Sequence, residues 1–185
     1  MKIAFIIYDG MTLLDFSGMY DPLTRLKTMG FMDLSYDVCA WTPAVRSFEG
    51  LELKPDKVQN SLAEYNYICI PGGNGISALI RDAQFLAWIR SAPATSCIAA
   101  VCGGALLLGA AGLLEGRRAT THPAMMEALK RFTDHISMER VVEDGNIVTA
   151  RGVTSAIDLG LYLCGKIAGA DAQDKICTQM DFAGR

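Results

Sequence analysis

The chain is poor in most of the features that mark specialised protein classes. It has no excess of positive charge: 17 Lys and Arg stand against 20 Asp and Glu, a net charge of −3, which excludes general electrostatic attraction to nucleic acid or to an anionic membrane. No uncharged run reaches the roughly 20 apolar residues of a membrane span. The longest, Ser96 to Leu114, is split by Gly103, Gly104, Gly109 and Gly112 and reads as a buried strand running into a buried helix. The first residues, Met1 to Tyr8, carry one positive charge and an apolar run shorter than that of a secretory signal, so the expected location is cytoplasmic. Prolines number only 6 and no Ser/Pro linker, internal repeat or low-complexity stretch interrupts the chain, so residues 1–185 are expected to form one domain. Histidines number only 2, and the 6 cysteines form no CxxC and no Cys/His pair at zinc spacing. Reduced thiols are expected, with Cys39, Cys69, Cys97 and Cys164 as small buried hydrophobes.

What is present is apolar residue, 51% by the AVILMFWYC count, in 185 residues. A chain of this length buries roughly 70% of its unfolded surface, so a core forms without staples. Near-continuous apolar runs at Lys2–Tyr8, Ser35–Trp41, Tyr67–Ile70 and Ser96–Val101 alternate with amphipathic stretches. Strands apolar on both faces imply helices on both faces, hence an α/β fold with a mostly parallel sheet sandwiched by helices. Ligands in such folds sit at the carboxyl ends of the strands. Val45–Lys54, with Glu49-Gly50 at its middle, reads as a hairpin appended to the sheet. A second hairpin is expected from Ile136–Val142 and Ile147–Ala150 through Asp144-Gly145-Asn146. The last long helix starts near Thr154-Ser155 and runs to about Ala168. Ser155 and Asp158 there have the spacing of a capping box, and a short helix is expected within 170–185.

Three segments carry chemistry. In Ala100-Val101-Cys102-Gly103-Gly104 a buried strand turns at once into a helix, an elbow that pushes its apex side chain over the helix start, where a thiolate is favoured. Cys102 is therefore a reactive thiol or, in the plainer reading, a buried cysteine beside a glycine turn. Gly103 directly after it allows the sharp turn and leaves its N–H open. A second strand ends in Pro71-Gly72-Gly73-Asn74-Gly75. Neighbouring parallel strands share their carboxyl edge, so Gly72 and Gly73, with Gly103, are candidate oxyanion donors beside Cys102. In the third segment Asp15, between Leu14 and Phe16, is either a partly desolvated acid or the N-cap of a helix starting near Phe16. His122 opens a further helix with Pro123 in its first turn, while His135 lies in a charged, surface-like stretch.

With these segments in view the chain resembles the ThiJ/PfpI superfamily, whose fold is the flavodoxin-like, class I glutamine amidotransferase-like sandwich. The resemblance rests on Leu13-Leu14-Asp15-Phe16-Ser17-Gly18, Pro71-Gly72-Gly73, Ala100-Val101-Cys102, Ala119-Thr120-Thr121-His122-Pro123 and Thr149-Ala150-Arg151-Gly152-Val153-Thr154-Ser155, in order along nearly the whole chain. It is greatest to the isonitrile hydratase branch, and extends to the amidase-like sensor domains fused to AraC-type regulators, through Asp15 where the deglycase branch has Glu.

The resemblance implies a catalytic Cys102 that attacks an isonitrile, Asp15 as general acid and base, and water as the second substrate, giving an N-substituted formamide without metal or organic cofactor. It also implies a small-molecule substrate and a homodimer that closes over the nucleophile, with the Asp15–Asp21 region at the interface. One departure stands out: the hydratase branch carries threonine directly after the nucleophile, and this chain has Gly103. Gly103 also differs from the histidine of the peptidase branch, and no histidine follows His135 to serve a glutamine amidotransferase. The other functions in view are glyoxalase or deglycase chemistry on α-oxoaldehydes, for which His122 in its Thr-Thr-His-Pro setting speaks, and a non-catalytic cysteine redox or ligand sensor.

Overall fold

The computed structural model describes residues 1–183. The apolar runs form the central strands: β1 (Lys2–Ile7), β2 (Ser35–Ala40), and, beyond a two-stranded ribbon of β3 (Val45–Arg46) and β4 (Glu52–Leu53), the short β5 (Lys57–Val58) and β6 (Tyr67–Ile70). Later in the chain come β7 (Cys97–Val101), β8 (Val141–Asp144) and β9 (Ile147–Ala150). Among the described residues seven of these strands make one sheet in the order β5-β2-β1-β6-β7-β9-β8. All its pairings are parallel except that of β8 with β9.

The helices are α1 (Leu13–Thr28), α2 (Ile76–Leu79), α3 (Ala83–Arg90), α4 (Gly104–Ala110), α5 (Met126–Leu129), α6 (Ser155–Ala168) and α7 (Ala170–Gln179). α1, α6 and α7 pack together as one group and α2 to α5 pack around α4 as another. The core strands are apolar throughout: Ile3 to Ile7 and Ala99 to Val101 have no exposed surface. The α/β sandwich expected from the strand pattern is present. No helix of the described residues is long and apolar enough to cross a membrane.

Three expectations need correction. The Val45–Lys54 hairpin is not appended to the main sheet but forms its own ribbon, and the edge strand β5 takes the place beside β2. The second hairpin is shorter than expected: its first strand begins at Val141, while Ile136 bridges to Ala119. The capping box is absent, because Ser155 lies inside α6, its hydroxyl donates to the Gly152 carbonyl, and the N-cap is Thr154. Asp158 instead accepts from Arg140 Nε at 2.7 Å, an ion pair that ties α6 to the segment before β8. The short helix expected within 170–185 is present as α7, Ala170–Gln179; residues 184–185 lie outside the described residues.

Strand order sets the position of the site. The chain runs outward from β1 to β2 and then returns to the other side of β1 with β6 and β7. The carboxyl ends of β1, β6 and β7 diverge at that reversal, where open parallel sheets hold their ligands.

Candidate active site

Cys102 follows β7 directly and takes φ = +57°, one of few non-glycine residues in the left-handed region. For an L-residue this conformation costs about 1–2 kcal/mol. It is held by three bonds: the Cys102 N–H donates to the carbonyls of Ala150 at 3.0 Å and Arg151 at 2.6 Å, and Thr121 Oγ1 donates to the Cys102 carbonyl at 2.7 Å. The turn therefore strains the cysteine itself. Gly103, expected to supply the sharp bend, sits in ordinary helical geometry at φ = −63°.

Asp15 lies in the first turn of α1 with no exposed surface. It is not the N-cap, a position taken by Thr12. Nor does Leu14 shield it, being 40% exposed; burial comes from the fold around the helix start. The Gly72 N–H donates to Asp15 Oδ2 at 3.0 Å, while Oδ1 is buried without a hydrogen-bond partner among the described residues. A Cβ placed on Gly72 would lie 2.5 Å from the Gly103 nitrogen, 2.8 Å from Cys102 Cβ and 2.9 Å from Asp15 Oδ2. Only a glycine lets the three loops converge so closely.

That convergence changes the roles expected of the glycines. Gly72 does not offer its N–H to a substrate, because the carboxyl of Asp15 takes it. Gly73, at φ = +127°, packs against the loop before α1, where a side chain would fall 2.3 Å from the Gly10 carbonyl oxygen. Of the three candidate donors, the Gly103 N–H is the one that favours negative charge on the Cys102 sulfur.

Electrostatically the pair differs from a thiolate at a helix start. Burial, then the negative charge of Asp15, push the Cys102 thiol up to about 12, against the pull of the Gly103 N–H. α4 is only 7 residues long, and desolvation outweighs its end charge. Burial likewise pushes Asp15 up to about 7, against the Gly72 N–H and the Cys102 thiol, with Glu49 adding to the rise. Asp15 therefore ionises before Cys102, and its charge then helps to keep the proton on the thiol. An acid near 7 is also a far better base toward a thiol than an ordinary aspartate.

His122 stands across Gly152 from the cysteine. A Cβ on Gly152 would lie 2.4 Å from His122 Cδ2 and 3.3 Å from Cys102 Sγ. His122 caps a 3-10 turn at Pro123–Met125, its Nδ1 accepting the Ala124 N–H at 3.2 Å. The imidazole thus walls the site rather than bonding the thiol. Sequence reasoning assigned no role to Thr121, which fixes the elbow, or to Gly152, although both lie in the motif segments. It also missed Tyr8 at the end of β1, whose hydroxyl donates to the Pro71 carbonyl at 2.7 Å and whose ionisation is opposed first by burial, then by Asp15 and Cys102.

A parallel α/β sandwich with a strained cysteine elbow held against a buried carboxyl group defines a class of cysteine-elbow proteins. Within it, the DJ-1/PfpI family model matches residues 1–165, and the chain belongs to the DJ-1/PfpI family. Isonitrile hydratase of Pseudomonas putida is 36% identical over 184 residues, 99% of this chain and 79% of that protein. Among solved structures, a THiJ/PfpI family protein from Pseudomonas syringae superposes with a TM-score of 0.90 at 30% identity, over 100% of this chain and 76% of that one. Drosophila melanogaster DJ-1beta, at 23% identity and a TM-score of 0.86 over 98% of both chains, shares the fold. The family resemblance drawn from the five motif segments is borne out.

Proposed function

We propose that the protein is a cysteine-dependent hydratase that converts an isonitrile and water to an N-substituted formamide. The observation that carries this reading is the buried Asp15 carboxyl beside Cys102, with one oxygen fixed by Gly72 and the other unpartnered. Asp15 takes the thiol proton as Cys102 Sγ forms its bond to the terminal isonitrile carbon. The protonated carboxyl then delivers that proton to the same carbon, leaving a neutral thioimidate. Water adds to the C=N bond with one proton passing to nitrogen. Collapse of the adduct breaks the C–S bond, passes the water's second proton to sulfur and releases the formamide. The thiol's proton thus ends on the formamide carbon, and the water's two end on nitrogen and sulfur.

Access supports the same substrate class. Cys102 is only 6% exposed, so a slender group with its electrophilic atom at the tip suits it, as a terminal isonitrile carbon does. The side-chain space at Gly103 is taken by Ile76 Cδ1 and Met125 Sδ, 2.5 and 3.0 Å from where a Cβ would stand, an apolar wall suited to an alkyl substituent. The likeness to the Pseudomonas putida enzyme adds to this reading. It is tested by formamide release from a simple alkyl isonitrile, with Cys102→Ala and Asp15→Asn as controls. Turnover lost in both variants is the expected result. A wild type that leaves isonitriles untouched yet turns methylglyoxal into lactate would replace this reading with the oxoaldehyde one. Oxygen addition at Cys102 under peroxide with no turnover of either compound would favour the sensor.

A further inference from the structure

We propose that Glu49 is a positioning residue for Asp15: from the tip of the β3–β4 ribbon it caps the start of α1 and sets the charge at the helix end that carries the acid. This rests on the reading of Asp15 as the proton carrier of the site.

The ribbon is stitched to the loop between β1 and α1. The Gly10 N–H donates to the Arg46 carbonyl at 2.8 Å, the Arg46 N–H to Asp9 Oδ1 at 2.7 Å, and the Phe48 N–H to the Met11 carbonyl at 2.8 Å. At the tip both carboxylate oxygens of Glu49 accept the Leu13 N–H, at 3.2 and 3.1 Å. Leu13 is the first residue of α1 and Asp15 sits two residues on, in the same turn. Thr12, the N-cap, makes no side-chain cap bond, so the capping is done by a residue 36 positions away.

The electrostatic effect follows from that place. An open helix start is the positive end of the macrodipole and would stabilise an ionised Asp15. Glu49 fills that end with a full negative charge, so an ionised Asp15 meets a like charge there. Glu49 itself remains ionised: desolvation opposes this, but its own N–H, the Leu13 N–H and Ser47 hold its carboxyl below the ordinary value. The ionisable groups facing Asp15 are Cys102 from the β7–α4 elbow, Tyr8 from the end of β1 and Glu49 from the ribbon; the Arg46 guanidinium lies on the same ribbon, beside Gly50. Glu49 thereby makes Asp15 a stronger base toward the Cys102 thiol.

The test is a carbon-13 NMR titration of the Asp15 carboxyl, assigned by its loss in Asp15→Asn, in wild type and Glu49→Gln. The amide keeps an acceptor for the Leu13 N–H and removes only the charge. The Asp15 midpoint is expected to fall by about 0.5 in Glu49→Gln. An unchanged or raised midpoint would overturn the proposal. In the wild type, raising salt should screen the exposed Glu49 and lower the same midpoint; a salt-independent midpoint would count against it even where the variant does not fold. No substrate enters either titration, so a failure of the hydratase reading shows separately, as absent formamide with the midpoint still shifted.

Discussion

Replacing Asp15 by Asn should flatten the pH dependence of folding stability. The carboxyl is pushed up to about 7 in the folded chain against an ordinary 3.8. Between those values the folded chain keeps a proton that the unfolded chain has released. The stabilisation is therefore complete below the unfolded value and is lost as pH rises through the folded one. The full difference corresponds to about 4 kcal/mol, of which about 2.5 kcal/mol is lost between pH 5 and pH 8. Asn fits the site, since its Oδ1 still accepts the Gly72 N–H. The assay is urea unfolding of wild type and Asp15→Asn at both pH values, compared as a double difference so that the other titrating groups cancel. The wild type should lose about 2.5 kcal/mol more than the variant between the two conditions. Equal losses, within about 0.5 kcal/mol, would refute the burial argument for the acid.

Other consequences follow from the same geometry. Cys102→Gly should be more stable than Cys102→Ala by about 1 kcal/mol in chemical denaturation, the reverse of the usual order, because only glycine relaxes at φ = +57°. Gly72→Ala should cost about 1–3 kcal/mol and abolish formamide release, since the added methyl meets the Gly103 nitrogen, Cys102 and Asp15 at once. The pH profile of kcat/KM for an alkyl isonitrile should rise through about 7, as the pair loses its first proton, and then level off; a profile falling above 7 would show that the doubly protonated form reacts.

Much of the frame was legible in the sequence for a physical reason: strands buried on both faces must be apolar at every position, and Ile3 to Ile7 and Ile98 to Val101 are. The elbow at Cys102 was legible because a strand, a glycine pair and a helix start follow each other closely, whereas Asp15 was left open between acid and N-cap and took its role only from the family resemblance. What stayed hidden depends on contacts between distant segments. The Gly72 N–H finds Asp15 across 57 residues, and Glu49 finds the start of α1 across 36, pairings that local pattern does not encode. The direction of the Cys102 shift was misread for a related reason. A helix start is visible in sequence, but the desolvation that outweighs it exists only once β1, β6 and β7 bring their loops together. The hairpin boundaries shifted likewise, because Ile136 is drawn to Ala119 instead of to β9.

The most direct test of the proton-sharing Cys102–Asp15 pair is the covalent state of Cys102 during turnover. The protein is mixed with an excess of an alkyl isonitrile, quenched in acid within the first turnovers and mapped by peptide mass. The thioimidate should add the full mass of the isonitrile to the Cys102 peptide alone, decay as formamide appears, and be absent from Cys102→Ala. Formamide released with Cys102 unmodified throughout, or released undiminished by Cys102→Ala, would contradict nucleophilic attack by this cysteine.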